Sequence, residues 1–431
     1  MADWKLPFVK EPEKHECQSM KYEYIYELPE TLFKEKFIMN NCAHNEYVGF
    51  RNRYLKEMQF NLNYDVSLVE TILDDLCEQL KPHFDGRQSV SNFFDSRTGS
   101  MKRRYMEAIE QVDQFGFRLF KDNKCSAFVK NELYDEIKPP RMIINRDPRF
   151  NLVYSMFTIP LEHAMMKIPQ FSKGKNYIQR GQQFSELVHG EWILEGDCSK
   201  FESSQRLPLL KQVELGIFKR LLPATDYELL EHIFWAKMNK CGYSAKGCKF
   251  SFYSMRGSGD MDTGLFNSIL MYIACRYFEI KNNIHQNQFI VDGDDNLIKI
   301  PIGMENYLNT FKDFGFDAKL IVRKDYHDAE YCSGKFLQIN NKGEFMYFQN
   351  ILKIMNNMAI FRKNKFRHCK AAYYYTLGYM YKQIYGNIPL YKDFAQFLMR
   401  DNKSRFSKSL LEEINPLYLD ILIHGENKLE I

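Results

Sequence analysis

The sequence predicts an α+β fold in which an antiparallel sheet is backed by helices, and three observations predict it. Residues 286–300 read as a hairpin, QNQFIV and NLIKI, with the acidic turn DGDD at its tip; two β-rich apolar runs about a Gly-containing turn fold back on themselves. A second strand is expected over 191–195 (EWILE), followed at once by Gly196 and Asp197. The third observation is helical periodicity elsewhere. In 67–82 the apolar residues Val69, Ile72, Leu73, Leu76 and Leu80 recur on one helical face, and Pro82 ends the run. Helices are also expected over 208–221 and 227–239, and 259–277 reads as a loop entering a buried helix. From Met346 onward the chain is mostly helical and rich in Tyr and Lys, the composition of a separate C-terminal subdomain.

With 431 residues and 45% hydrophobic content the chain can bury a large core, which excludes the disordered class. The 27 Tyr and 35 Phe serve that core first and offer stacking surfaces for bases second. A net charge of +4 excludes a histone-like polycation, although positive charge gathered in a channel still binds nucleic acid. Basic clusters at 102–104 (KRR) and 362–367 (RKNKFR) read as solvated faces. None of the ten cysteines forms a C-x-x-C pair, and Cys241 and Cys248 lack a second ligand pair, so zinc is discounted. Without a signal peptide, free thiols in a reducing compartment are expected. The apolar stretch 265–278 is too short and too polar to span a bilayer.

The acidic turn carries the chemistry. Asp292, Asp294 and Asn296 alternate as in a calcium loop, but Leu297 stands where the sharp-turn Gly belongs and Gly303 where the bidentate Glu belongs. A solvated turn needs one acidic residue, not three. Carboxylates partly buried between FIV and LIKI need compensation, and hard oxygen ligands favour Mg²⁺ or Mn²⁺. Asp197, at the end of a neighbouring strand, is the best further ligand; two such strands can hold a pair of cations for nucleotidyl transfer.

Six segments in order, between about 41 and 340, resemble the viral RNA-dependent RNA polymerases of positive-strand RNA viruses, most closely the tombusvirus-like group. GDCSKFESS (196–204) resembles motif A, RGSGDMDTGLFNS (256–268) motif B and VDGDDNL (291–297) motif C. FVKNELYDEIKPPRMIINRDPRF (128–150) is similar to the basic fingers segment, AEYCSGKFL (329–337) to the primer-grip hairpin, and NCAHNEYVGFRNRYL (41–55) to a segment upstream of the polymerase core.

The resemblance implies a right-hand polymerase with an antiparallel palm sheet. Its fingers and N-terminal extension would span 1–190, with further fingers at 209–257, palm at 191–208 and 258–345, and thumb at 346–431. It implies two Mg²⁺ or Mn²⁺ ions on Asp197, Asp294 and Asp295, the same three residues being catalytic. Ser258, Thr263 and Asn267 can hydrogen-bond a ribose 2′-hydroxyl, Thr263 and Asn267 lying one helical turn apart. Glu202 stands where the family usually has Asp, and is expected near the ribose or Asn267. Lys130, Arg141 and Arg146 are the triphosphate ligands, supported by Lys138 and Arg149; Arg146 beside Asp147 also reads as a structural ion pair. Pro139 and Pro140 stiffen the approach to Arg141.

Gly259, Cys332 and Ser333 are expected at template and primer, and Gly259 gives its loop the freedom to approach a base. Lys319 and Lys324 are the candidates for a general acid, or else lysines at a strand edge. The expected partners are RNA, NTPs and other viral replication proteins. The expected place is the host cytoplasm, at membrane-associated complexes reached without an anchor in this sequence. The rival readings are a non-catalytic RNA-binding replication protein with a polymerase-like fold and a reverse transcriptase-like nucleotidyltransferase.

Overall fold

A computed structural model describes residues 7–13, 23–24, 26, 36–55, 62–95, 99–188, 191–284, 287–340, 343–361, 364–400 and 405–414. The chain divides into two compact units, one drawn from Met1–Met20, Lys36–Lys173 and Leu187–Tyr326, the other from Lys21–Glu35, Gly174–Glu186 and His327–Ile431.

The first unit is built on a four-stranded antiparallel sheet, in the order Phe289–Asp292, Asp295–Ile300, Trp192–Cys198, Ala318–Arg323. Behind it lies the helix Thr263–Lys281, buried nearly all round, as its apolar sequence requires. This helix shares one core with Leu194, Phe289 and Ile298 of the sheet. The helix Val66–Leu80 packs into the same core through Val69, Ile72, Leu73, Leu76 and Leu80, the face that the periodicity predicts. Asp65 caps it by accepting from the Leu68 N–H at 3.1 Å.

Two elements differ from expectation. The strand expected over 191–195 runs from Trp192 to Cys198, so Asp197 lies within it and not after it. Pairing continues on both sides, Gly196 with Asn296 and Leu320, and Asp197 with Lys319. The Asn296 side chain lies over Gly196 so closely that a Cβ there would sit 2.5 Å from its Oδ1. The helix expected over 208–221 is helical throughout, but it widens into a π-turn at Lys211–Leu215 between Leu207–Leu210 and Gly216–Leu221. That turn buries Glu214.

A five-stranded sheet completes this unit, in the order Phe8–Lys10, Lys249–Tyr253, Asn239–Ser244, Cys125–Val129, Met142–Arg146. Its one parallel pair joins Cys125–Val129 to Asn239–Ser244.

A buried charge network ties this unit together. The cations are Arg146, Lys237, Lys240 and Arg256, the carboxylates Glu214, Asp260 and Asp262, and no side chain among them is more than 1% exposed. Asp262 takes Lys237 at 2.6 Å, Arg256 at 3.2 Å and the Tyr154 hydroxyl at 2.7 Å. Asp260 takes Arg146 at 2.8 Å and Lys240 at 3.3 Å, while Glu214 binds both Lys237 and Arg256. Buried ions persist only when paired and hydrogen-bonded. Burial opposes the Asp262 charge, yet Lys237 and Arg256 hold its carboxyl well below the usual range. Burial pushes Lys240 down to about 8; Arg146 and Lys237 push the same way, and Asp260 opposes them.

The second unit pairs strands Gly334–Gln338 and Phe345–Gln349 and packs helix Lys370–Tyr385 against Pro389–Leu398. Here the aromatics are core: the Phe184 and Phe336 rings stack at 3.8 Å, and Tyr374, Tyr381, Tyr385 and Tyr391 are buried. The basic cluster at 362–367 lies partly outside the described residues. Among the described residues the cysteines are free thiols and no helix is long and apolar enough to cross a membrane.

Lys240 gives a pH signature. It releases its proton near pH 8 in the folded chain and near about 10.4 when unfolded. Over that window the unfolded state binds more protons, so this residue makes stability rise with pH. Urea unfolding at pH 8, 9 and 10 should show the rise in wild type and a flatter profile in Lys240→Met; two parallel profiles would contradict it.

Candidate active site

The hairpin Phe289–Asp292/Asp295–Ile300 turns through two residues, Gly293 and Asp294, so Asp292 and Asp295 are strand residues facing each other across it. Gly293 has φ +68° while Asp294 is not among the positive-φ residues, the pattern of a type II′ turn, which suits the twist of paired strands. The Gly293 N–H donates to Ser268 Oγ at 2.9 Å, pinning the tip to the helix behind it. On the far side, the register Asn296 to Gly196 brings Asp295 level with Asp197, and Asp197 in turn lies opposite Lys319.

Asp294 sits half-buried at the tip. Burial, then the charges of Glu202 and Asp197, push its carboxyl up to about 6, and Arg141 draws it down. A carboxyl raised by burial and further by neighbouring carboxylates marks a place short of positive charge. Among the described residues no three His, Cys, Asp or Glu side chains form a ready-made metal cage. The donor set nonetheless fits a hard divalent cation: carboxylate oxygens, mutually repelling and partly desolvated.

Motif A leaves its strand through Lys200, in the left-handed region at φ 53°. Lys200 Nζ donates to the Asn52 carbonyl and side chain, both at 3.2 Å. Glu202 takes Arg53 Nη2 at 2.5 Å, and this partner holds its carboxyl below the ordinary range although burial opposes it. The Tyr54 hydroxyl lies 3.3 Å from Ser258 Oγ. Three consecutive residues of one π-turn, Arg51–Leu55, therefore grip motifs A and B; such turns gather at functional sites.

Motif B corrects three expectations. The Thr263 hydroxyl donates to the carbonyls of Gly257 (2.9 Å) and Asp260 (2.7 Å), so it closes its own loop. Gly259 is small because a Cβ there would meet the Ile144 carbonyl at 2.6 Å, not because it needs free backbone angles. Asn267 is buried and accepts at Oδ1 from Gln205 Nε2 at 2.8 Å; Glu202 turns to Arg53 instead.

In the basic segment, Lys130 and Arg141 are adjacent across a backbone hydrogen bond of 2.8 Å. Both remain substantially exposed and share Glu132, at 3.0 and 3.7 Å. Tyr134 Oη accepts from the Arg141 N–H at 3.0 Å. Arg146 does not join them. Its guanidinium is buried and spent on Asp260, Asn123 and the Lys237 carbonyl. Asp147 pairs instead with Arg149 at 2.9 Å. Lys324 lies beyond the opposite end of its strand from Lys319, paired with Glu305. Cys332 and Ser333 belong to the second unit, at φ 48° and 62° in the tight turn before its hairpin. Tyr347 Oη donates to the Cys332 carbonyl at 2.9 Å, and Lys353 Nζ to Ser333 Oγ at 2.7 Å.

Residues 37–421 match the family described as viral RNA dependent RNA polymerase. The chain belongs to this family. Relatives are the RNA-directed RNA polymerases of groundnut rosette virus (strain MC1), 30% identical over 52% of this chain and 28% of that protein, and of oat chlorotic stunt virus (isolate United Kingdom), 26% over 48% and 30%. A third, from tobacco necrosis virus (strain A), is 26% identical over 56% of this chain and 36% of its own length. The chain thus spans about a third of the length of the relatives that it matches. Membership implies a right-hand polymerase fold, and the family generally uses a divalent metal ion.

Within this polymerase family chain, sequence reading missed Arg53, Tyr54 and Gln205 as site residues. Arg53 and Tyr54 lie in a segment that carries the family resemblance, yet nothing local distinguishes them from solvated residues. Gln205 stands just past motif A, with no pattern of its own.

The Arg53–Glu202 pair, with both side chains largely buried, should couple strongly. Arg53→Met alone should lower the unfolding free energy by about 3 kcal/mol, because it strands a buried carboxylate. Adding Glu202→Gln should recover part of that loss. A double-mutant cycle in urea checks this, and additive effects would contradict it.

Proposed function

We propose that this chain is an RNA-directed RNA polymerase that copies viral RNA by adding NTPs to an RNA 3′-hydroxyl. The observation that carries the reading is the half-buried Asp294 tip, whose carboxyl is raised by burial and then by Glu202 and Asp197, while Arg141 bears on it from the basic segment. Nucleotidyl transfer needs that pairing: an acidic pole to take metal and a basic pole to take the triphosphate.

In this reading the four-stranded sheet and the helix behind it form the palm, the five-stranded sheet the fingers, and the helices after 346 the thumb. Asp197 and Asp294 would hold two divalent ions, Mg²⁺ or Mn²⁺, with Asp295 in support, and the chemistry supplied there would be charge neutralisation and a lowered pKa for the attacking hydroxyl. Lys130 and Arg141 draw in the triphosphate and hold it by charge-assisted hydrogen bonds. Ser258 and Asn267 read the ribose. Lys319 lies across from Asp197, which supports it as the group that hands a proton to the departing pyrophosphate. Asp292, opposite Asp295, adds negative charge at the base of the turn. Other viral replication proteins carry the chain to membrane-associated sites in the host cytoplasm.

Asp294→Ala should lower RNA-templated extension by about a thousand-fold, with folding unchanged by circular dichroism. Extension at the wild-type rate would sink the reading. Incorporation of dNTPs as readily as NTPs on the same template would point to a reverse transcriptase-like enzyme instead.

A further inference from the structure

We propose that Gln205 sets ribose selection by fixing which end of the Asn267 amide faces the nucleotide. The inference rests on the ribose-reading role of Asn267 proposed above. An arginine side chain only donates hydrogen bonds. Arg256 Nε donates to Gln205 Oε1 at 2.5 Å, so the Gln205 amide has to turn its oxygen toward Arg256 and its nitrogen away. Gln205 Nε2 then donates to Asn267 Oδ1 at 2.8 Å. Among the described residues Asn267 Nδ2 has no acceptor, and in this scheme it is the end offered to a ligand.

Neither amide is free to flip. Turning Gln205 over would set two donors against each other at Arg256, in a place where Gln205, Arg256 and Asn267 are all buried. Arg256 is itself fixed by Glu214 and Asp262. The buried charges therefore dictate hydrogen-bond polarity at the second turn of the helix Thr263–Lys281. An Asn267 donor is satisfied by the oxygen of a ribose 2′-hydroxyl. A deoxyribose leaves it unpaired, and a site built to bond a hydroxyl rejects the analogue that lacks it. Gln205 touches no substrate in this scheme; it is a positioning residue.

Gln205→Glu is the informative variant, because it reverses the relay. A carboxylate accepts from Arg256 as before but also has to accept from Asn267, turning Nδ2 inward and Oδ1 toward the nucleotide. The network holds four cations to three carboxylates, so it tolerates one more negative charge. A 2′-hydroxyl can still donate to Oδ1, whereas a 2′-fluoro group cannot donate. In primer extension on RNA, kcat/KM for 2′-fluoro-NTP relative to NTP should fall about ten-fold from wild type to Gln205→Glu, the equivalent of about one lost hydrogen bond.

Gln205→Met, which releases Asn267, should cut the preference for NTP over dNTP about ten-fold. Variants that slow NTP, dNTP and 2′-fluoro-NTP by one common factor, or that leave the ratios at wild-type values, overturn the proposal. Asn267→Ala separates the two readings. If it leaves the NTP to dNTP ratio unchanged, the ribose role of Asn267 fails. If it changes the ratio while both Gln205 variants do not, the relay alone fails.

Discussion

The buried ion network around Arg256 is the constraint on which the rest of the first unit depends. Four cations and three carboxylates removed from water are tolerable only as a complete set, since each partner lost strands a charge in low dielectric. Its members come from separate parts of the chain: Arg146 ends a strand of the five-stranded sheet, Glu214 lies in a π-turn, and Lys237 ends a helix. Arg256, Asp260 and Asp262 come from the loop before the buried helix. That loop has no regular structure to hold it; ions at both ends and the Thr263 hydroxyl within do so instead.

The hairpin obeys the opposite electrostatic logic. Inside the network every carboxylate has a cation, and Asp262 stays ionised far below its ordinary range. At the hairpin tip carboxylates face carboxylates, and Asp294 is pushed up toward neutrality. The buried carboxylates of the network are each paired with a cation, whereas those at the hairpin tip crowd one another where an external cation fits. The two regions meet at the end of motif A, where Glu202 is held by Arg53 and Gln205 by Arg256, three residues apart.

What was legible in the sequence follows from the range of the interactions involved. The face of Val66–Leu80 and the hairpin 289–300 were readable because period and turn chemistry are local. The nearness of Asp197 to the Asp294 turn was readable because carboxylates beside apolar runs demand an explanation. Arg146 was misread because its partner, Asp260, lies 114 residues away and nothing near Arg146 announces it. Thr263 was misread for a subtler reason: a hydroxyl at the start of a helix serves the backbone as readily as a ligand, and here the backbone holds it. Asp197 was placed just outside its strand because Gly196 looks like a stop signal, whereas it is the small residue that lets Asn296 lie over the sheet. Gln205 was invisible, because its role exists only through Arg256 on one side and Asn267 on the other.

The central claim is that buried ions, rather than regular backbone structure, hold the loop before the helix Thr263–Lys281 in place. Hydrogen exchange of wild type and Glu214→Gln tests it most directly. Removing this carboxylate leaves Arg256 and Lys237 short of a partner. Protection should then fall across 256–268 and 202–205, while the hairpin 289–300, tied by its own ladder and core, keeps the wild-type pattern. Unchanged protection at 256–268, or an equal loss over the whole unit, would contradict the account.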